Sequence, residues 1–193
     1  LDLLQAVAAA QNPRDFCMIT FLINCGMRVS ELVGLNLADL RKKEKTLRLL
    51  GKGNKERIIY VNEACLQAME GYEPVRAKIL LDRHRSNESA LFLSERGSRI
   101  SARRVEQILE KYLAAAGLSG RGYSPHKLRH TAATLMYQYG GADVRVLKEI
   151  LGHENLSTTE IYTHVSSQQI ERAIDSSPLA KVQAPKSDES KKS

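Results

Sequence analysis

The spacing of apolar residues along the chain predicts a mainly α-helical domain with one small antiparallel β-sheet. An apolar run after Asn12 and Pro13 predicts a buried helix, because Asn is favoured just before a helix and Pro at its first position. The run is apolar on nearly every side, which is typical of a helix at the centre of a domain. We expect this helix to end at Gly26 and a short helix over residues 28–35 to follow. An amphipathic helix is predicted over residues 101–116.

A β-hairpin is predicted over residues 46–61. Two short β-prone runs flank Gly51–Asn54, whose composition is typical of a turn. Lys52 should therefore lie at or near the tip of this hairpin. A third short strand is predicted at residues 91–93.

Further helices are indicated by capping residues and by breaks at Gly or Pro. They cover residues 63–82 with an interruption near Gly71 and Pro74, 125–139, 143–150, a short segment around Tyr162, and 166–175. We expect residues 1–175 to form one domain. Residues 176–193 have little apolar content and should be a disordered tail.

Composition excludes several classes of protein. The chain has 193 residues, of which 42% are hydrophobic and 26% charged, as in ordinary globular domains. It contains no run of about 18 apolar residues, so no membrane span is predicted. It begins at Leu1 without the layout of a signal peptide, and we interpret it as a fragment. Cys17, Cys25 and Cys65 lack Cys-x-x-Cys spacing and are expected to be reduced core thiols of a cytoplasmic protein.

The net charge of +7 is distributed unevenly. Residues 41–60 contain eight Lys or Arg against two acids, and residues 101–130 contain six against two. Residues 131–175 contain three basic residues against six acids. Two basic blocks suit a polyanionic partner such as DNA, because neutralised phosphates release counterions. Taken alone, the same clusters are equally consistent with ordinary surface charge.

Five short motifs follow one another along the chain: Gly26–Leu32, Gly51–Arg57, Ser124–His130, Leu151–His153 and Glu160–Val165. In order they contribute an Arg, a Lys, a His-x-x-Arg, a His and a Tyr. Each motif is weak alone. Their order and spacing together resemble the catalytic domain of the tyrosine recombinases, the family of Xer, Cre and lambda integrase, over about residues 1–175.

The resemblance implies one catalytic site formed by Arg28, Lys52, His126, Arg129, His153 and Tyr162. Tyr162 would attack a DNA phosphate and form a 3′-phosphotyrosyl bond. Arg28 and Arg129 would clamp that phosphate, since a guanidinium forks onto two oxygens and stays protonated. Lys52 would protonate the leaving 5′-oxygen, with Lys55 and Arg57 as nearby rivals.

The same resemblance assigns supporting roles. His126 would be an acid or base in contact with the phosphate, and His153 would also contact it. His130 is expected to be buried and hydrogen-bonded, which would fix its helix. Glu31, three residues after Arg28, is expected to orient an arginine rather than to catalyse.

Zinc binding by His126 and His130 is the main competing interpretation of this helix. A zinc-protease motif would carry Glu directly after the first His, whereas this chain has Lys127 there. We therefore expect no metal and no other cofactor, and cleavage that does not depend on metal ions.

The function implied is that of a site-specific DNA recombinase, as found on chromosomes and on mobile genetic elements. Double-stranded DNA would be its partner, and no membrane would be involved. The family resemblance further implies self-association on DNA as a tetramer, with the helix at residues 166–175 docked in trans, and an N-terminal DNA-clamping domain outside this fragment. Relaxation of DNA by a type IB topoisomerase mechanism and non-catalytic DNA binding on the same fold stay open as alternatives.

Overall fold

A computed structural model describes residues 1–140 of the chain, together with residues 146, 147, 151, 172 and 174–176. Its elements in chain order are α1 (Asp2–Ala9), α2 (Pro13–Cys25), α3 (Val29–Gly34), β1 (Leu40–Arg41), β2 (Thr46–Leu50), β3 (Glu56–Tyr60), α4 (Glu63–Asp82), α5 (Ala102–Ala115) and α6 (Pro125–Gly140), with single 3₁₀ turns at Leu37–Asp39 and Lys52–Asn54. The predicted fold class, mainly α with a small antiparallel sheet, is confirmed.

Helix α2 is the centre of the domain, as its apolar sequence predicts. The Asn12 side chain accepts a hydrogen bond from the amide of Asp15 at 3.1 Å, which caps the first turn. Every residue from 14 to 25 is buried, and helices α1, α4 and α6 pack around this element. Gly26 then ends the helix in the left-handed conformation, with φ of +59°. The core of the domain is therefore built around α2.

The sheet has the order β1-β2-β3, and all pairs are antiparallel. Leu49 lies opposite Arg57, and Leu50 lies opposite Glu56, next to the turn. The amide of Gly51 donates to the carbonyl of Lys55 at 2.8 Å and closes this turn. Lys52 begins the 3₁₀ turn, so its predicted place at the hairpin tip is confirmed.

The predicted third strand at residues 91–93 is wrong. This segment forms only isolated bridges, Leu93 with Arg99 and the adjacent Ala90 with Asn36, while β1 supplies the third strand of the sheet. Phe92 stacks on Tyr72 with ring centroids 5.7 Å apart and is almost fully buried. The apolar triplet therefore reflects burial of a loop in the core rather than strand pairing.

Helix α4 is continuous, so the predicted interruption near Gly71 and Pro74 is also wrong. Proline removes the N–H that would bond to the carbonyl four residues earlier, here that of Glu70. Glu70, Gly71 and Pro74 are all exposed. Water can therefore satisfy the freed carbonyl, and the helix tolerates the proline.

Helices α5 and α6 agree with the sequence. The Ser101 side chain accepts from the amide of Arg104 at 3.2 Å and caps α5. One face of α5 is buried and consists of Val105, Ile108, Leu109, Tyr112 and Leu113. The helix predicted at 143–150 is described only at residues 146 and 147, which are helical, and the one at 166–175 only at residues 172, 174 and 175, which are helical as well. The tail beyond Ser176 lies outside the described residues.

A small second core lies between α6 and the C-terminal segment. Ala132, Met136, Val146 and Ile174 are buried in it, and Tyr60 packs against it. The Tyr60 hydroxyl also donates to Oδ2 of Asp175 at 3.3 Å. The chain around Ile174 is thus packed on its own domain.

The cysteines confirm the prediction of core thiols. Cys17, Cys25 and Cys65 are free and buried, and the Sγ atoms of Cys25 and Cys65 lie 3.9 Å apart. Burial raises the pKa of the Cys17 and Cys65 thiols well above its usual value. Among the helices described, none is long and apolar enough to cross a bilayer.

Candidate active site

Arg28 lies between the glycine that ends α2 and the first turn of α3. Its backbone is extended, with φ of −75° and ψ of 153°, and the chain turns into α3 directly after it. The Glu31 carboxylate accepts from the backbone amide of Arg28 at 2.7 Å and from its Nη1 at 3.2 Å. Glu31 thus closes the helix start and holds the Arg28 side chain, and the expectation that it orients an arginine is confirmed.

Arg129 lies one helical turn after His126 in α6 and is buried. Its Nη1 donates to the carbonyl of Gly26 at 2.6 Å, and its Nη2 donates to the carbonyl of Leu151. Nη1 also lies 3.8 Å from Oε2 of Glu31. The structure therefore brings Arg28 and Arg129 together around one carboxylate, and Arg129 also binds the carbonyl of Leu151.

A third arginine reaches the same carboxylate from the hairpin. Arg57 Nη1 donates to Oε1 of Glu31 at 2.6 Å, and Nη2 donates to Oε2 at 3.1 Å. From the sequence, Arg57 is expected only as a rival of Lys52. Side chains two residues apart lie on the same face of a strand, so Arg57 shares a face of β3 with the buried Ile59. This alternation could have indicated from the sequence that Arg57 points toward the interior.

The electrostatics of this cluster are unusual for a buried site. Glu31 is nearly inaccessible, and burial alone would raise its pKa. Hydrogen bonds from the Arg57 guanidinium and the Arg28 amide, together with the charges of Arg57 and Arg129, outweigh burial and lower that pKa. Burial and then repulsion from Arg28 lower the pKa of Arg129 to about 10, with Glu31 opposing the shift. Arg129 stays charged at neutral pH, and three cations face one anion.

Gly26 permits the close approach of these segments. A Cβ atom at this position would lie 3.1 Å from Cδ2 of Leu151 and 3.8 Å from Cβ of Ala132. Its φ of +59° would also strain any other residue. Gly26 therefore ends α2, and its lack of a side chain leaves room for Leu151 beside the carbonyl that accepts from Arg129.

The turn that carries Lys52 lies beside the arginine cluster. A Cβ atom built on Gly51 would lie 3.7 Å from Nη1 of Arg57, the atom that also contacts Glu31. A side chain one residue before Lys52 would thus be in contact with the Arg57 guanidinium. The Lys52 turn therefore neighbours Arg57, whose side chain contacts the same carboxylate as Arg28 and Arg129.

His126 and His130 form a hydrogen-bonded pair on α6. Their Nε2 atoms are 2.8 Å apart and their ring centroids 4.4 Å apart. One ring must donate and the other accept. Both side chains are exposed, so the expectation that His130 is buried is wrong. The reason is helical geometry: the face of α6 that meets the core carries Leu128, Arg129 and Ala132, and residues four apart share the opposite face.

His153 and Tyr162 lie outside the described residues. Leu151, two residues before His153, is described, and its carbonyl accepts a hydrogen bond from Arg129. Of the six predicted site residues, the structure therefore unites Arg28 and Arg129, sets the Lys52 turn beside them, and places His126 on the helix of Arg129.

This arrangement can bind an anion that carries several oxygens. Arg28 is 42% exposed in its side chain, while Glu31 and Arg129 beneath it are 2% and 4% exposed. The excess of guanidinium over carboxylate leaves positive charge at the surface that a phosphate would neutralise. The guanidinium ions need no change of protonation to do so.

The chain is similar to known proteins over most of its length. The chain matches the Phage integrase family over residues 1–169. It is 49% identical over 178 residues to the tyrosine recombinase XerC of Caldanaerobacter subterraneus subsp. tengcongensis, covering 92% of this chain and 49% of that protein. It is 45% identical over 161 residues to XerC of Corynebacterium efficiens, covering 83% of this chain and 49% of that protein. The chain thus spans about half the length of these relatives.

Solved structures show the same fold. The crystal structure of XerA recombinase superposes with a TM-score of 0.70 at 29% identity, over 88% of this chain and 59% of that one. The XerH site-specific recombinase bound to its difH substrate superposes with a TM-score of 0.64 at 23% identity, over 89% and 47% of the two chains. At that identity the second likeness shows the fold alone.

Proposed function

Because this chain belongs to the phage integrase family of tyrosine recombinases, we propose that it is the catalytic part of a site-specific recombinase that cuts and rejoins DNA. The observation that carries the proposal is the pair of arginines, Arg28 and Arg129, gathered around Glu31 beside the Lys52 turn. A scissile phosphate bound there would meet two fixed cations.

The proposed reaction exchanges one phosphate ester for another. The Tyr162 oxygen attacks phosphorus, and the bond from phosphorus to the 5′-oxygen breaks. The phenol proton passes to His126, and the Lys52 ammonium gives a proton to the 5′-oxygen, so charge is balanced. Arg28 and Arg129, with His153, stabilise the charge on the phosphate oxygens during the transfer. The covalent link preserves the energy of the ester, and the free 5′-hydroxyl of a partner strand reverses the step.

Trapping on a nicked DNA substrate tests the reaction. A nick just to the 3′ side of the scissile phosphate lets the short fragment that carries the released 5′-hydroxyl diffuse away, and the protein–DNA link accumulates. The chain should form a covalent complex with this DNA, and Tyr162→Phe should form none. DNA binding without covalent complex by the wild-type chain would instead indicate the non-catalytic regulator. Relaxation of supercoiled DNA by monomers would indicate a topoisomerase.

The role of Lys52 is tested with sulfur in place of the bridging 5′-oxygen. Protonating a departing alkoxide is worth roughly 10²–10⁴ in rate. A thiol has a pKa near 8.5, so a thiolate leaves without that help. The sulfur substrate should rescue Lys52→Ala but not Arg28→Ala, whose defect is loss of charge stabilisation. Equal failure of both variants on sulfur would show that Lys52 only binds DNA, and Lys55 would become the candidate.

We further propose that the protein self-associates on DNA as a tetramer through its C-terminal segment. Ile174 is fully buried against Ala132, Met136 and Val146 of its own chain, which defines a socket for this segment. If the C-terminal segment of a neighbouring chain occupied the same socket, it would link two protomers through contacts of the kind that the fold already makes within one chain. A chain truncated after Ser166 should keep its fold and lose cooperative assembly on DNA. Unchanged assembly would refute this arrangement.

The domain boundaries and the location of the protein in the cell are also proposals. Residues 1–175 are proposed as the catalytic domain, 176–193 as a disordered tail, and the DNA clamp as part of the half of the relatives that this chain does not span. A protein that recombines DNA of a bacterial chromosome or mobile element would act in the cytoplasm. Proteolysis that removes only the tail, together with fractionation of the full-length protein, would test these points.

A further inference from the structure

The geometry points to Arg57 as a positioning residue that holds the Lys52 turn against the arginine pair. The inference rests on the proposed function, because it assigns Arg57 a role through the leaving-group acid. Arg57 does not itself touch the reacting atoms in this scheme. It acts through the position of the turn.

Among the three arginine side chains that contact Glu31, Arg57 makes the shortest contact with it. Both terminal nitrogens of Arg57 meet both oxygens of Glu31, at 2.6 and 3.1 Å. The side chains of Arg28 and Arg129 meet the same carboxylate through one nitrogen each, at 3.2 and 3.8 Å. A bidentate pair fixes orientation as well as distance. Because Arg57 and Glu31 are 16% and 2% exposed, solvent weakens this contact little.

The pair connects two elements that carry different catalytic groups. Glu31 lies on α3, which begins directly after Arg28, and Arg57 lies near the start of β3, after the turn. The turn is short, and its two ends are joined by the Gly51–Lys55 hydrogen bond of 2.8 Å. A Cβ atom built on Gly51 would lie 3.7 Å from Nη1 of Arg57, so the guanidinium occupies the space next to this end of the turn. A shift of Arg57 relative to Glu31 would therefore move Lys52 relative to the phosphate that Arg28 holds.

A second hairpin arginine provides a matched control. Arg48 also pairs with two carboxylates, Asp39 at 2.6 Å and Glu56 at 2.9 Å. It lies on the exposed face of β2, opposite Ile58, and its side chain is 50% exposed. It thus repeats the chemistry of Arg57 on the same hairpin, but it pairs with Asp39 and Glu56 instead of Glu31.

The test compares cleavage of the oxygen and sulfur substrates by Arg57→Lys, Arg57→Gln and Arg48→Lys. Lysine keeps the charge of Arg57 and loses the bidentate geometry. A displacement of about 1 Å at a catalytic group costs up to roughly 10²-fold in rate. We expect Arg57→Lys and Arg57→Gln to cleave the oxygen substrate roughly 10- to 100-fold more slowly and the sulfur substrate within a few-fold of wild type. Arg48→Lys should match wild type on both.

The ratio of the two rates is the decisive quantity, because the folded fraction of each preparation cancels from it. A sulfur-to-oxygen ratio that stays at the wild-type value in the Arg57 variants would overturn the inference. That result would mean that Arg57 serves only to neutralise Glu31 for Arg28 and Arg129.

A double variant gives an independent check. If Arg57 acts through Lys52, Lys52→Ala with Arg57→Lys should cleave the oxygen substrate no more slowly than Lys52→Ala alone. A further loss of the same size as in the single Arg57→Lys variant would refute the coupling. Absence of covalent complex with the wild-type chain would refute the proposed function itself, so the two failures are distinguishable.

Discussion

Glu31→Gln should be among the most destabilising single substitutions in this domain, although it changes one oxygen to an amide. The carboxylate is 2% exposed in its side chain and has three arginines around it. Glutamine keeps one accepting oxygen and presents an N–H group to a guanidinium, so at least one of the two Arg57 bonds is lost. Removing one member of a buried ion pair costs about 3–5 kcal/mol, because the partner charges stay buried without compensation.

The cost should appear in urea unfolding at pH 7 as a lower midpoint with an unchanged slope. At about 2–4 °C per kcal/mol for a chain of this size, the melting temperature should fall by roughly 6–20 °C. Glu56→Gln is the matched control, since Glu56 also pairs with an arginine but is 55% exposed. Exposed pairs contribute about 0–1 kcal/mol, so the control should unfold close to wild type.

The pH dependence supplies a stricter criterion. The folded pKa of Glu31 is lowered, so its stabilising effect is complete above the unfolded pKa of about 4.3 and is lost as the pH falls through the folded pKa. The difference between wild type and Glu31→Gln should therefore shrink below about pH 4. A difference under 1 kcal/mol at pH 7, or one that does not change with acid, would refute the argument that Glu31 neutralises the arginines.

Three further outcomes are expected. Covalent trapping of DNA should persist in EDTA, because arginine and lysine supply the positive charge that metal ions supply elsewhere; loss in chelator with recovery on added Mg²⁺ would contradict the arginine clamp. DNA affinity of this chain should be weak and fall steeply with salt, with a titration between 50 and 200 mM salt as the measurement and salt-insensitive tight binding as the contrary result. Gly26→Ala should lower stability by about 1–3 kcal/mol through its left-handed φ and the 3.1 Å approach to Leu151, whereas Gly71→Ala, at an exposed position in α4, should be neutral or stabilising.

Local signals predicted much of the fold. The cap at Asn12, the stop at Gly26 and the turn at Gly51–Asn54 each depend on a few adjacent residues, and the structure agrees with all of them. The errors at residues 91–93 and at Pro74 have one cause. Whether an apolar triplet pairs as a strand, or a proline breaks a helix, depends on what covers the segment in three dimensions, and pattern alone does not contain that information.

The candidate site was likewise predicted from the sequence only in part. The resemblance to the tyrosine recombinases pointed to Arg28 and Arg129, and the structure places both beside Glu31. The contribution of Arg57 depends on strand register and on the path of α3 past the hairpin, so only the fold shows it. The exposure of His130 likewise depends on which face of α6 meets the core.

The crowding of three arginines around Glu31 means that this part of the folded domain holds more positive than negative charge at close range. A phosphate group that enters the cluster relieves repulsion that the protein sustains when empty, so ligand and fold stabilise each other. Sequence changes that relieve this repulsion, such as replacement of Arg28 by a neutral residue, would make a more stable domain that binds a phosphate less tightly. Stability and phosphate binding therefore place opposite demands on the residues around this one carboxylate.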